Sequence, residues 1–382
     1  MAVKEVTDRI SEEEYHFDMI TLRLKSELPK FERFGHIDIF RIGFTKRGAT
    51  VSDAKQFPLS LNKYIYPFWA AFYAAILHRR KPYDAVMSTM TSYASFGALF
   101  FKLLFPGIPY IVRSDDGDPF EYYEGKTKLL GPMFAWLFSK ADAAVATARH
   151  LANHVTRLGF RGEVAIVPNG VNAKHFSQQY TEAEIKEVQE KLGKKEGDVF
   201  MITTSRLVKK NAVDDVIKAM KFLPEHVYFL VYGIGPDEEM LKALAKSEGV
   251  EKRVRLMGQL SHADMPKYLK ACDIFIRPSL SEGFGISFIE AMVAEIPVIA
   301  TQAGGIADYL FDSELNRDQM PTGYVVATRD PEGIARQVKR CLEDSALRVS
   351  VIKNAKMLAI ERYDWDRIAK QMKEGVFDKL LK

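Results

Sequence analysis

The sequence predicts a doubly wound α/β protein. Two observations carry this: short Val- and Ile-rich runs recur along the chain, and helix-like stretches separate them. Many of the runs are apolar at successive positions, so both faces of the sheet are covered, as parallel sheets require. A strand–helix–strand alternation of this kind builds a parallel sheet with helices on both sides.

In chain order the predicted strands are Phe17–Leu22, Ile37–Ile42, Ala85–Met87, Tyr110–Val112, Ala143–Ala146 and Ala165–Val167. A second series follows: Val199–Thr203, Val227–Val231, Val254–Met257, Ile274–Ile276 and Pro297–Ala300. Asn211–Phe222 and Glu238–Glu248 read as helices between them. Pro168-Asn-Gly170 is turn punctuation, and the charged stretch Tyr180–Gly197 precedes a fresh alternation at Val199. The expected division is therefore residues 1–170, residues 171–365, and a closing helix over 366–382 that packs back on the first domain.

The chain has 382 residues, enough for two cores. With 47% hydrophobic and 27% charged residues, it is globular rather than disordered. Cys272 and Cys341 lie too far apart in sequence for a metal motif and fit a reducing, cytoplasmic setting. The charged opening, Met1 to Glu14, does not read as a signal peptide. Residues 1–170 hold 22 Lys+Arg against 18 Asp+Glu, which accounts for the whole net charge of +4. That surplus is too small to call for a nucleic acid partner.

Tyr64–Leu77, followed by His78-Arg-Arg-Lys81, and Phe96–Ile108 are apolar and aromatic. Both are shorter than the roughly 20 residues a membrane-spanning helix needs. They read as core helices, with peripheral contact to an anionic membrane face as the alternative.

The chemistry concentrates in Ser281-Glu282-Gly283-Phe284-Gly285-Ile286-Ser-Phe-Ile-Glu290. An unpaired carboxylate inside an apolar run is costly to bury, so Glu290 is expected to have a polar partner. A glycine-rich turn opening onto a helix offers free backbone N–H groups to an anion. Eight helical steps cover about 12 Å, too far for a glycosidase pair at about 5–10 Å. Glu282 and Glu290 read instead as two clamps on one extended ligand. Arg206 and Lys210 follow the strand ending at Thr203, where open α/β sheets bind ligands, and suit a diphosphate. Gly233 and Gly235, after the next strand, allow close backbone approach or simply make a tight turn.

These segments resemble the donor-site signature of retaining GT-B glycosyltransferases, the group that includes bacterial mannosyltransferases, sucrose-phosphate synthases and glycogen-synthase relatives. The resemblance extends through Val167-Pro-Asn-Gly-Val171, Ser205-Arg-Leu-Val208, Gly233-Ile-Gly-Pro236, Ile296-Pro-Val-Ile-Ala-Thr301, Gly304-Gly305-Ile306, Thr322-Gly-Tyr324 and Arg362-Tyr-Asp-Trp365. It implies two facing Rossmann-like domains and a UDP- or GDP-sugar donor in the second. It also implies a glycan or lipid-linked acceptor, and neither cofactor nor obligatory metal. By resemblance, Glu282 meets the donor sugar and Glu290 the ribose. Backbone N–H groups around Phe284 and Gly285 meet the diphosphate, with Arg206 and a lysine. The usual lysine position holds Asn211 here, so Lys210 is assigned to that role.

Other departures follow. The opening strand and glycine turn of the first domain are missing before Phe17, which leaves sheet edges unpaired. A truncated or inactive nucleotide-sugar-binding protein is therefore the rival expectation, with a sugar-nucleotide epimerase the other. A phosphorylase would need a pyridoxal lysine site, and no segment suggests one. Where relatives place a histidine, this chain has Arg113-Ser-Asp-Asp-Gly-Asp118. Asp118, or its neighbour Asp115 or Asp116, is the candidate to position an acceptor or sugar hydroxyl, against a plain Asx turn. Glu295 occupies a helix-ending position where glycine is common, at a small expected cost in stability.

Overall fold

A computed structural model describes residues 2–50, 52–90, 94–118 and 134–381. The chain forms two compact units, one of residues 1–169 with 365–382 and the other of residues 170–364.

In the second unit one sheet holds β8 (Val199–Thr204), β9 (Val227–Tyr232), β10 (Val254–Gly258), β11 (Ile274–Arg277), β12 (Val298–Ala300) and β13 (Tyr324–Val325). Their spatial order is β10-β9-β8-β11-β12-β13, and every pairing is parallel. Val, Ile and Phe side chains from both faces of these strands feed two apolar clusters, which is why the runs lack polar alternation. From β8 the chain winds outward through β9 and β10. It then returns to the other side of β8 as β11 and winds away through β12. The order thus reverses between β8 and β11, and the crevice outside their C-terminal ends is the topological switch point of this sheet.

In the first unit the strands fall into two sheets. One is β1 (Phe17–Leu22), β3 (Ile37–Ile42) and β2 (Phe31–Phe34); the other is β4 (Val86–Thr89), β5 (Tyr110–Ser114), β6 (Ala143–Ala146) and β7 (Val164–Ile166). β1 and β4 are edge strands of their separate sheets. The Tyr66 hydroxyl donates to the Ile20 carbonyl of β1, and the Tyr83 hydroxyl donates to the Asp18 carboxylate. The closing helix Trp365–Met372 packs on the short helix Ala2–Thr7 through Val6, Ile10, Trp365 and Ile368. Arg9 Nε donates to Asp366 across this contact at 2.6 Å.

Each apolar run predicted as a strand lies on an observed strand. Two strands among the described residues were not predicted. β2 carries Glu32 and Arg33 on an exposed antiparallel edge, where burial imposes no apolar pattern. β13 has only two residues. At the start of the chain a short helix spans Ala2–Thr7 and is followed by turns.

Glu295 adopts φ 63°, the left-handed conformation that ends the helix Ile286–Val293. Its carboxylate lies 2.9 Å from Lys356 Nζ and 3.5 Å from Lys270 Nζ. Partial burial pushes its pKa up, but the two lysines outweigh this and hold it below the ordinary value. Glu295→Gly removes backbone strain of about 1 kcal/mol and loses partly exposed ion pairs contributing about 0–1 kcal/mol. The expected net result is a small rise in Tm at neutral pH. A depressed carboxylate stabilises above its unfolded pKa, and that contribution fades as pH falls through its folded pKa. The advantage of the glycine variant should therefore widen on acidification, as read by thermal melts across that range.

Candidate active site

Two loops border the switch-point crevice. The loop after β8 carries Arg206 and Lys210; the loop after β11 carries Glu282 to Gly285. The Leu280 N–H donates to the Lys210 carbonyl at 2.7 Å, which ties the loops together. Asn211 is buried, and its side-chain amide donates to the Arg206 carbonyl at 2.7 Å. In place of a lysine, this residue fixes the turn that presents Arg206. Arg206 itself is exposed, and among the described residues no ion pair holds its guanidinium.

Glycines set the depth of both loops. A Cβ on Gly233 would stand 1.7 Å from the Ser205 carbonyl oxygen, and one on Gly235 would stand 2.2 Å from that of Leu207. The turn after β9 thus packs directly beneath the segment that presents Arg206. In the same way, a Cβ on Gly304 would stand 2.0 Å from the Glu282 carbonyl, to which the Gly305 N–H donates at 3.1 Å.

Glu282 is held by a residue that the motif reading missed. Arg277, at the end of β11, is 7% exposed. Its Nη2 donates to Glu282 Oε2 at 2.9 Å, and its Nη1 donates to Ser287 Oγ at 2.8 Å. Nη1 also reaches the Thr204 carbonyl at 3.3 Å, and the guanidinium lies 4.2 Å from the Phe288 ring centre. Arg277 therefore fixes one carboxylate oxygen of Glu282 and links the β8 end, the Glu282 loop and the following helix. The available signal was a cation inside an apolar strand, since an arginine there must find partners.

The helix Ile286–Val293 begins at Gly285, whose φ is 83°, and no side chain caps it. Phe284 is buried against Tyr309 and Tyr363, so this residue offers its backbone rather than its ring. The Tyr309 hydroxyl donates to the Phe284 carbonyl at 2.6 Å. Burial, and after it the charge of Glu282, raises its pKa well above the ordinary tyrosine value, so it remains a donor. With the Phe284 carbonyl taken, the uncapped N–H groups at the helix start are suited to an anion. The hydroxyls of Thr204, Ser205 and Ser279, at the same ends of β8 and β11, are buried without a hydrogen-bond partner among the described residues.

Glu290 is 8% exposed, and its Oε1 lies 3.3 Å from His262 Nε2, the polar partner its burial calls for. The His262 ring stacks on His175 with centroids 5.3 Å apart. His175 Nε2 lies 2.9 Å from the His262 carbonyl, which fixes the proton on that nitrogen. Neither histidine was singled out from sequence, because nothing in the linear order links them to Glu290.

Asp118 lies beyond the end of β5, in the first unit. The structure thus brings Arg206, Lys210, Glu282, Gly283, Phe284, Gly285, Ile286, Gly233 and Gly235 to one end of one sheet. Glu290 lies one turn into the adjoining helix. Asp118 belongs to the other unit. Among the described residues, metal-ligand side chains converge only at His16, Asp18 and Asp38, on and beside β1 and β3. His16 Nε2 lies 3.1 Å from the Asp18 carboxylate and 3.3 Å from that of Asp38. Both cysteines are free and buried; burial raises Cys272 and pushes Cys341 up to about 11, which leaves them unreactive.

The sequence matches the family Glycosyl transferases group 1 over residues 184–358 and Glycosyltransferase Family 4 over residues 2–175. An uncharacterized glycosyltransferase of Methanocaldococcus jannaschii is 29% identical over 211 residues, 55% of this chain and 52% of that protein. The alpha-monoglucosyldiacylglycerol synthase of Acholeplasma laidlawii is 26% identical over 176 residues, 45% of this chain and 44% of that protein. This chain thus matches about half the length of each of these two relatives.

Sucrose-phosphate synthase from Thermosynechococcus elongatus superposes with TM-score 0.82 at 20% identity, covering 99% of this chain and 92% of its own. Anabaena HepE, solved in complex with UDP-glucose, superposes with TM-score 0.74 at 18% identity, covering 95% and 100%. The fold is that of the GT-B class. The chain belongs to the GT-B glycosyltransferases, with a group 1 domain over its second unit.

Proposed function

We propose that this protein is a hexosyltransferase that moves a sugar, with retention, from a nucleotide diphosphate sugar to a glycan or lipid-linked acceptor. The observation that carries the reading is the pairing of two loops at one switch point. One loop presents the cations Arg206 and Lys210. The other presents Glu282, held by Arg277, and an uncapped helix start at Gly285. Cations and backbone N–H groups suit a diphosphate, and an oriented carboxylate suits sugar hydroxyls. Glu290, steadied by His262, is placed to accept from ribose hydroxyls. The UDP-glucose bound by the Anabaena structure and the lipid glycosylation named for the Acholeplasma relative support a UDP-sugar and a lipid-linked acceptor.

In this reading the bond between the anomeric carbon and the diphosphate oxygen breaks as the acceptor oxygen bonds to the same face. A phosphate oxygen takes the acceptor proton, so no protein nucleophile is needed. Arg206, Lys210 and the helix start stabilise the departing diphosphate by positioning and charge, without a metal or cofactor. Asp118 positions the acceptor. The reaction is placed on the cytoplasmic side, at a membrane face when the acceptor is a lipid.

Thermal-shift titration with UDP-, GDP- and ADP-sugars tests the donor site. One donor should stabilise the protein in a concentration-dependent way. Arg206→Ala and Glu290→Ala should each weaken its binding about tenfold to a hundredfold, as expected for lost charged hydrogen bonds of about 1.5–3 kcal/mol. Unchanged binding in both variants would overturn the assignment.

A further inference from the structure

One histidine and two aspartates meet on one face of the β1–β3 pair, in the unit that does not contain Arg206, Glu282 or Glu290. The two-residue period of a strand puts His16 and Asp18 on the same side. β1 and β3 pair in parallel with Asp18 opposite Asp38, so the second carboxylate stands beside the first. The three ligand atoms lie within 4.8 Å of one another.

The spacing suits a small cation. Zinc bonds of about 2.0–2.1 Å in a tetrahedron hold neighbouring ligand atoms about 3.3 Å apart. His16 Nε2 stands 3.1 Å from Asp18 Oδ1 and 3.3 Å from Asp38 Oδ2. Asp18 Oδ1 is itself buried, and it has no hydrogen-bond partner among the described residues. The approach of His16 is therefore close without being a directed hydrogen bond, and this oxygen is left unsatisfied.

Both carboxylates are oriented from outside. The Tyr83 hydroxyl donates to Asp18 Oδ2, and Arg33 Nη1 lies 3.8 Å from Asp38 Oδ1. In each case the other oxygen faces His16. Outer partners of this kind fix the ligands of metal centres. Two adjacent carboxylates also repel each other. Arg33 offsets this only in part, because its Nη2 is committed to Glu12 at 2.5 Å. A divalent cation between the two inner oxygens removes the repulsion.

The donor set selects the ion. An imidazole nitrogen with two carboxylate oxygens suits zinc, whereas magnesium and calcium take oxygen ligands. The His16 side chain is 31% exposed, against 13% for Asp18 and 19% for Asp38. The open imidazole side gives the ion its route in and water its place as fourth ligand.

We propose that His16, Asp18 and Asp38 bind a zinc ion that clasps the segment before β1 to the paired strands β1 and β3. β1 is an edge strand, held by its sheet on one side only, so the clasp secures it. This site is independent of the donor reading.

The test is a thermal-shift titration of the full chain, treated with EDTA and desalted, with zinc, magnesium or calcium chloride. Zinc should raise Tm in a concentration-dependent way, and the other two ions should not. Cobalt(II) in place of zinc should give the visible absorption of a tetrahedral site. His16→Gln and Asp38→Asn, which nearly keep the shape, should each abolish the zinc shift and the cobalt band. Tyr83→Phe removes only the outer hydrogen bond and should weaken zinc binding about tenfold to a hundredfold. His36→Gln, at the neighbouring imidazole, should leave both signals unchanged. Absence of a zinc shift in the parent chain would overturn the proposal, as would equal shifts with magnesium and calcium. So would a cobalt band that survives His16→Gln and Asp38→Asn. Circular dichroism verifies folding; if one variant does not fold, the other variant and the parent's cobalt spectrum decide. Donor-induced shifts measured in EDTA should persist in all variants, so failure of the donor site and failure of the zinc site are read separately.

Discussion

Replacing Arg277 with methionine is expected to lower kcat about a hundredfold, with a smaller change in donor KM. The guanidinium holds Glu282 Oε2 at 2.9 Å and Ser287 Oγ at 2.8 Å, while lying over Phe288. Methionine fills the volume and covers the ring, but leaves the Glu282 carboxylate without its partner. Removing one member of a buried pair costs about 3–5 kcal/mol; Glu282 retains some exposure, so the lower end applies. Glu282→Gln keeps the shape and can keep one hydrogen bond to Arg277 through its amide oxygen, but it removes the ion pair. Glu282→Ala should cost about 10²–10³ in kcat, the range for loss of a single oriented group. The decisive comparison is between stability and rate. If Glu282 only steadies the loop, Glu282→Gln will melt earlier and turn over normally. If it orients the transferred sugar, turnover will fall while the melting temperature changes little.

Gly233→Ala is expected to cost about 3–5 kcal/mol, from backbone strain together with overpacking. Its φ of 145° disfavours any side chain, and the added Cβ would fall 1.7 Å from the Ser205 carbonyl oxygen. A carbonyl in a packed turn cannot rotate away as a side chain can. The Ser205–Leu207 segment must move, and Arg206 moves with it. Donor binding should therefore be lost along with stability. Gly249→Ala supplies the control: its φ is also positive, at 70°, but nothing lies within 4 Å of the added Cβ. It should cost only about 1 kcal/mol and leave donor binding intact. Equal melting temperatures for the two variants would show that the turn after β9 does not support the Arg206 loop.

Much of the candidate site was legible because its signals are local. A carboxylate in an apolar run, glycines before a helix and cations after a strand are all readable within a few residues. What escaped is what depends on register between strands. Arg277 is one cation in a strand, and only the pairing of β11 with β8 sets it beside Thr204. His262 sits 28 residues from Glu290 in sequence and meets it only through packing of the loop on the helix. Gly233 and Gly235 read equally as ligand contacts or as tight turns. The structure shows that their lack of a side chain accommodates the backbone of Ser205 and Leu207.

The apolar stretch Tyr64–Leu77 is a further instance. Its residue types were compatible with a core helix or with a surface one. Tertiary packing settled this by burying the alanines and leaving Tyr64, Phe68 and Phe72 outside.

By itself the sequence determined the α/β class and the elements that carry the chemistry, because strand and helix periodicities and turn residues act over short range. Tertiary structure alone decided that β8 and β11 are neighbours where the strand order reverses. That adjacency joins Arg206, Lys210 and Glu282 into one site and gives Glu282 its buried arginine. Residues some 70 positions apart, such as Lys210 and Leu280, meet only when the sheet is complete. Local preference cannot encode such a meeting, because it depends on the order in which the strands pair.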